Sequence, residues 1–144
     1  MKNCPICEKH ADARISPLYQ GKYWRVYYGP YESQVKGYLY LEPNRHVESW
    51  SEFTLDELHE MSELIRSVEM ILKKLIPVDR LYIVTISETV RHLHLHLIPR
   101  LTDDEIKGIE LISHATQQKA EQLVLDQQAY QQLANQLCSL FALM

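Results

Sequence analysis

VRHLHLHLI, Val90 to Ile98, is the stretch that decides how this chain reads. Arginine or histidine alternates with an aliphatic residue along it, and a period of two belongs to a β-strand. His92, His94 and His96 then project on one side, while Leu93, Leu95 and Leu97 enter a core on the other. Crowded imidazoles are costly filler, because each brings polar nitrogens that need partners and charge on one disfavours charge on the next. A strand face that merely meets water is more cheaply made of Thr or Lys. The pattern therefore points to chemistry near neutral pH, either metal ligation or a nucleophilic imidazole flanked by helpers.

Working outward, Pro99 closes this strand, and Leu81–Ile86 (LYIVTI) reads as its partner across a tight Ser87-Glu88-Thr89 connection. Further upstream, Lys22–Tyr28 (KYWRVYY) and Lys36–Leu41 (KGYLYL) are aromatic and β-branched, stopped by Gly29-Pro30 and by Pro43, and read as an antiparallel pair. Between the two strand pairs lies a long amphipathic helix. Thr54 with Glu57 forms a capping-box start, Leu55, Leu58, Met61, Leu64, Ile65, Val68, Ile71, Leu72 and Leu75 recur at helical spacing, and Pro77 ends it. After Arg100 the composition turns to Leu, Ile, Gln and Ala, and Asp103–Ala115 and Gln127–Met144 read as helices. In the second of these, Tyr130, Leu133, Leu137, Leu140, Phe141 and Met144 share a face. The order of elements predicts an α+β fold, with residues 1–102 as the domain proper and 103–144 as a helical extension packed on it.

The chain has 144 residues, 46% of them hydrophobic, enough for one core. A net charge of −4 argues against a general nucleic-acid partner, which normally meets a basic stripe. No apolar run is long enough to span a membrane, and the beginning lacks the apolar core of a secretory signal, so a cytoplasmic protein is expected. Three cysteines make a poor disulfide framework. Cys4 and Cys7 stand as a C-x-x-C pair suited to metal or redox chemistry, whereas Cys138 in its apolar stretch reads as a small core residue. His59 and His114 read as surface or packing residues. Potential ligands spread from residue 4 to residue 92 are too far apart for a Cys2His2 DNA-binding finger.

HLHLHLI, followed by Pro99-Arg100, resembles the histidine triad (HIT) superfamily. So does Gly37 to Leu58 (GYLYLEPNRHVESWSEFTLDEL), with its strand, Pro-x-x-His and helix with an acidic first turn, and the N-terminal CPIC is similar to the zinc-binding subgroup. The resemblance implies an antiparallel sheet packed by helices, often paired into a homodimer, and hydrolysis or transfer at the α-phosphate of a small nucleotide. It assigns His94 as the nucleophile that forms a nucleotidyl-histidine intermediate and His96 as the donor beside the phosphate oxygens, with a backbone carbonyl fixing the tautomer of His94. It assigns a structural Zn2+ to Cys4, Cys7, His46 and His92, with His10 ranked behind His46 as a ligand.

The pattern departs before the triad. Relatives carry a longer glycine-containing loop whose amides cradle phosphate, whereas this chain has no glycine from Tyr38 to Lys107. Glu88, Thr89 and Arg91 are then the candidate substrate contacts, with Thr89 offering a hydroxyl and Arg91 a partner for the Glu88 carboxylate. Tyr38 occupies a position where relatives often carry His. The expected activity is hydrolysis of a nucleoside phosphoramidate or dinucleoside polyphosphate. Nucleotidyl transfer to a phosphorylated acceptor and a catalytically weak nucleotide-binding adaptor are the alternatives.

Overall fold

Strand alternation and hairpin spacing build a five-stranded antiparallel sheet in the order β1-β2-β3-β5-β4. The computed structural model describes residues 3–144. The strands are β1 (Tyr19–Gln20), β2 (Trp24–Tyr28), β3 (Leu39–Pro43), β4 (Val78–Val84) and β5 (Leu95–Leu101), and the helices are α1 (Pro5–Ala11), α2 (Leu55–Leu75), α3 (Ile109–Gln117) and α4 (Gln127–Phe141).

One face of the sheet carries Trp24, Val26, Leu39, Leu41, Leu95 and Leu97, and it packs with Leu64, Val68, Ile71 and Leu72 of α2 and Leu133, Leu137 and Phe141 of α4. Helix α2 starts as its sequence dictates: the Thr54 hydroxyl accepts from the Glu57 amide, and the Glu57 carboxylate accepts from the Thr54 amide. Leu55, counted in its apolar stripe, instead faces water. The opposite sheet face holds Tyr38, Tyr40, Ile98, Tyr82 and Val84, over which Leu111 and Ala115 of α3 pack. This is also the face of His96, since Tyr40 pairs with His96 in register. The turn into β3 depends on Gly37, whose φ is +78° and where a Cβ would stand 2.7 Å from Ile76 Cδ1.

Several expected boundaries move, each for a visible reason. Strand β5 begins at Leu95 rather than Val90, because the preceding backbone has partners outside the ladder: Leu93 N–H donates to Val47 O and His94 N–H to Ser87 Oγ. The tight Ser87–Thr89 connection is accordingly a longer loop, residues 85–94, and β4 runs from Val78 instead of Leu81. Strand β2 starts at Trp24, two residues after Lys22, and β3 is shifted to Leu39–Pro43. The helix expected from Asp103 starts at Ile109, because the Asp104 carboxylate accepts from Leu101 N–H in a turn and Gly108, at φ +64°, leads in. Helix α4 ends at Phe141, short of Met144, and Cys138 lies on its exposed side. Helix α1 has no sequence periodicity; Pro5 at its first position and Cys4 Sγ accepting from Cys7 N–H make it.

Among the described residues, no helix is long and apolar enough to cross a membrane.

Candidate functional site

Cys4 and Cys7 sit at the start of α1, His46 follows β3, and His92 lies just before β5. Their ligand atoms come within 4.8 Å of one another. Cys7 Sγ is 3.4 Å from His46 Nδ1 and 3.5 Å from His92 Nδ1, and Cys4 Sγ is 3.6 Å from His92 Nδ1. A tetrahedral ion with sulfur at about 2.3 Å and nitrogen at about 2.1 Å has sulfur–nitrogen edges of about 3.6 Å, so the donor set fits a closed site. Each imidazole is also braced on its far nitrogen. His92 Nε2 donates to Pro43 O at 3.0 Å, and His46 Nε2 donates to Glu48 Oε2 at 2.8 Å, which aims both Nδ1 lone pairs inward. Burial first of all pushes the His92 pKa down to about 4, leaving the ring neutral and its lone pair free.

His10, the competing ligand, is turned elsewhere. Its Nε2 donates to Glu42 Oε1 at 2.9 Å, while Lys9 Nζ meets Glu42 Oε2 at 2.7 Å. Glu42 is buried; burial alone would raise its pKa, but the His10 and Lys9 contacts outweigh that and hold it below the usual carboxylate range. Lys9 also lies 4.1 Å from the Tyr27 ring centroid, so α1 is fastened to the sheet face beside the Cys4, Cys7, His46 and His92 cluster.

The next imidazole along faces differently. His94 Nδ1 is 2.8 Å from the carbonyl of His92, and Ser87 Oγ is 3.3 Å from the same nitrogen. A carbonyl oxygen only accepts, so Nδ1 carries the proton and Nε2 keeps its lone pair. The His94 ring is half-buried and 5.0 Å, centroid to centroid, from that of His96. His96 in turn packs against Tyr38 and Tyr40, with Tyr38 Oη 2.6 Å from His96 Nδ1. Burial, and then the closeness of the His94 ring, which disfavours a second positive charge, push the His96 pKa down to about 4. The arrangement presents one nitrogen lone pair with a second, neutral imidazole beside it.

Of the expected substrate contacts, Glu88, Thr89 and Arg91 are all exposed at the loop. Arg91 lies 3.9 Å from Glu88 and 4.0 Å from Glu48, bridging both carboxylates. Glu88 and Arg91, with Trp50, Thr85, Ile86 and Ser87, line a cavity of about 300 Å3 that His94 itself does not line. Thr89 is not among its lining residues. Sequence reasoning missed Ser87, which touches His94 twice, and Glu48, which backs His46. The His46-x-Glu48 spacing was a readable signal for the latter. Ser87 gave none, since its left-handed φ of 53° sets its direction. His59 pairs with Glu63 in solvent, and His114 lines a separate cavity of about 460 Å3.

A family model described as HIT domain matches residues 27–103. Among solved structures, the chain is similar to a zinc-bound histidine triad family protein from Mycobacterium smegmatis, at 16% identity and TM-score 0.67 over 99% of this chain and 98% of that one. It is also similar to a hypothetical histidine triad nucleotide-binding protein from Sulfolobus tokodaii, at 18% identity and TM-score 0.67 over 96% of this chain and 92% of that one. A third neighbour is a Hit-like protein involved in cell-cycle regulation from Bartonella henselae, at 14% identity and TM-score 0.68, covering 97% of each chain. At these identities the likeness shows the fold. No curated protein matches the chain.

Proposed function

The chain belongs to the HIT domain family, and from that premise we propose that it hydrolyses a small nucleotide at the α-phosphate through a nucleotidyl group carried on His94. The observation that supports this reading is the 2.8 Å approach of His94 Nδ1 to the His92 carbonyl, because it leaves Nε2 as an unprotonated nucleophile. In the first step the Nε2 lone pair forms a bond to phosphorus, and the bond from phosphorus to the leaving atom breaks. That atom departs with its electron pair and takes up a proton from solvent, which the attacking water returns in the second step. In the second step water attacks phosphorus, the phosphorus–nitrogen bond breaks, and the nucleoside monophosphate leaves with His94 restored. A neutral imidazole brings no negative charge to a phosphate anion, and His96 alongside offers a hydrogen bond where charge gathers on the phosphoryl oxygens.

A nucleoside phosphoramidate or dinucleoside polyphosphate is the proposed substrate class. The Sulfolobus tokodaii neighbour is described as nucleotide-binding, which accords with that ligand. Glu88, Thr89 and Arg91 are proposed to meet the leaving group. Cys4, Cys7, His46 and His92 would hold Zn2+, which would supply a closed clamp between α1 and the approach to β5. A homodimer working in the cytoplasm is part of the same proposal.

Mixing the protein with adenosine and guanosine phosphoramidates and dinucleoside polyphosphates, then measuring intact mass after an acid-free quench, tests it. The expected result is turnover with an added mass of one nucleoside monophosphate that maps to His94 and vanishes in His94→Ala. Neither adduct nor turnover across the set, with nucleotide still bound, would replace the hydrolase by a binding module.

A further inference from the structure

We propose that Tyr38 is a positioning residue for His96, its phenolic O–H donating to Nδ1 and so placing the His96 proton on Nε2. The inference rests on the hydrolase reading above for its purpose, though not for its geometry. Tyr38 Oη stands 2.6 Å from His96 Nδ1, a short contact of the kind made by a well-aligned donor. The two rings lie nearly parallel, 26° apart with centroids separated by 6.0 Å.

Of the two proton arrangements that fit that distance, the proposed one has the phenol donating and Nδ1 accepting. Tyr38 is 1% exposed, wedged between strand β5 and the Tyr40 ring. Burial, reinforced by Tyr40, pushes its pKa far up, so the oxygen keeps its proton. His96 is neutral for the same reason of burial, and therefore holds a single ring proton. A phenol that donates to Nδ1 leaves that one proton for Nε2. His96 then mirrors His94. The His92 carbonyl puts the proton of His94 on Nδ1 and bares Nε2 for attack, while Tyr38 puts the proton of His96 on Nε2 and makes that nitrogen a donor.

Register makes this pairing possible. Tyr38 precedes β3, and Tyr40 pairs with His96 across the β3–β5 ladder, so the Tyr38 ring reaches His96 diagonally along the sheet. The backbone is held there by Gly37 at φ +78°, which turns the chain so that Tyr38 lies under α3 rather than in solvent. A phenol is long enough to cover that diagonal and carries a donor that does not ionise in the working pH range.

Nitrogen-15 NMR of the imidazoles, in the intact protein and without substrate, reads the tautomer. The expected spectrum of the parent has an unprotonated Nδ1 and a protonated Nε2 for His96, with the reverse pattern for His94. Tyr38→Phe keeps the ring and removes the donor, so His96 should become a mixture of tautomers. Tyr40→Phe should leave the His96 pattern unchanged. Kinetically, Tyr38→Phe should lower kcat about five- to tenfold with KM within about twofold, as expected for losing one hydrogen bond worth ~1 kcal/mol that orients a donor. A parent His96 protonated on Nδ1, or a Tyr38→Phe spectrum indistinguishable from the parent, overturns the inference. Absence of turnover in the parent would instead count against the hydrolase reading, because the nitrogen spectra need no substrate.

Discussion

The main-chain carbonyl of His92 accepts a hydrogen bond from Nδ1 of His94 at 2.8 Å, while the His92 ring points its own Nδ1 at Cys4 and Cys7. One residue thus touches both clusters, the two cysteines by its side chain and the His94 ring by its backbone carbonyl. Anything that shifts His92 disturbs both.

Metal removal should therefore be felt in the fold and at His94 together. The purified protein is expected to carry one zinc ion per chain, released by a strong chelator with a fall in Tm of more than about 10 °C, since structural zinc contributes folding energy directly. Cys7→Ser should lower zinc content in the same way, and Glu48→Gln should weaken zinc affinity roughly tenfold by loosening the His46 ring. Metal analysis with calorimetry checks all three. Stability indifferent to chelation would remove the structural role.

Ser87→Ala should reduce kcat about fivefold, the worth of one hydrogen bond of ~1 kcal/mol to the His94 backbone and ring. Ser87→Gly loses the same hydroxyl but relaxes a backbone held at φ 53°. The two variants should match in kcat and differ in stability, with Gly the more stable. Unequal kcat values would mean that the backbone, and not the hydroxyl, is what His94 needs.

Acid should destabilise the protein partly through His96. Its pKa is depressed to about 4 by burial and by His94, while in the unfolded chain it returns to about 6.5. Between those values the unfolded state binds more protons, so stability present above about pH 6.5 is lost as pH falls towards 4. Urea midpoints measured from pH 7.5 to 4.5 should drop more steeply for the parent than for His96→Gln. Parallel profiles would show that the ring is not the group that resists protonation.

Leu137 lies fully buried between α4 and the sheet, so Leu137→Ala should cost about 2–5 kcal/mol. We expect residues 103–144 and the rest to melt in one transition, with the same shift followed by tryptophan fluorescence, which reports Trp24 and Trp50, and by circular dichroism. Two separate transitions would make the C-terminal helices an independent unit.

Much of this architecture was legible because it is periodic. Helix α2 carries its cap at Thr54 and its stripe from Leu64 to Leu72, and Leu95 and Leu97 alternate with His96 as a half-buried strand demands. What escaped reading has no period. Helix α1 rests on a sulfur cap and Pro5, and the last turns before β5 are set by Val47, which is far away in sequence, and by the Ser87 hydroxyl within the loop. Cys138 failed for a subtler reason: its neighbour Leu137 takes the buried position, and one residue along a helix swings the side chain by about 100° into water. At the site itself, the residue types that cluster, two Cys and two His, were visible in the motifs. Of the partners that orient them, Glu48 had a readable spacing from His46 but Pro43 O and Ser87 did not, since a carbonyl has no sequence signature and Ser87 acts through its backbone twist.

Cys4 and His92 are 88 residues apart, and that separation has a consequence for the newly made polypeptide. A ribosome adding about 5–20 residues per second extrudes the thiol pair on the order of ten seconds before the last imidazole of the set follows. Throughout that interval the nascent chain carries two thiols with no finished cage around them. On the proposed zinc reading, those sulfurs stay open to oxidants and to thiophilic copper until His92 has followed them.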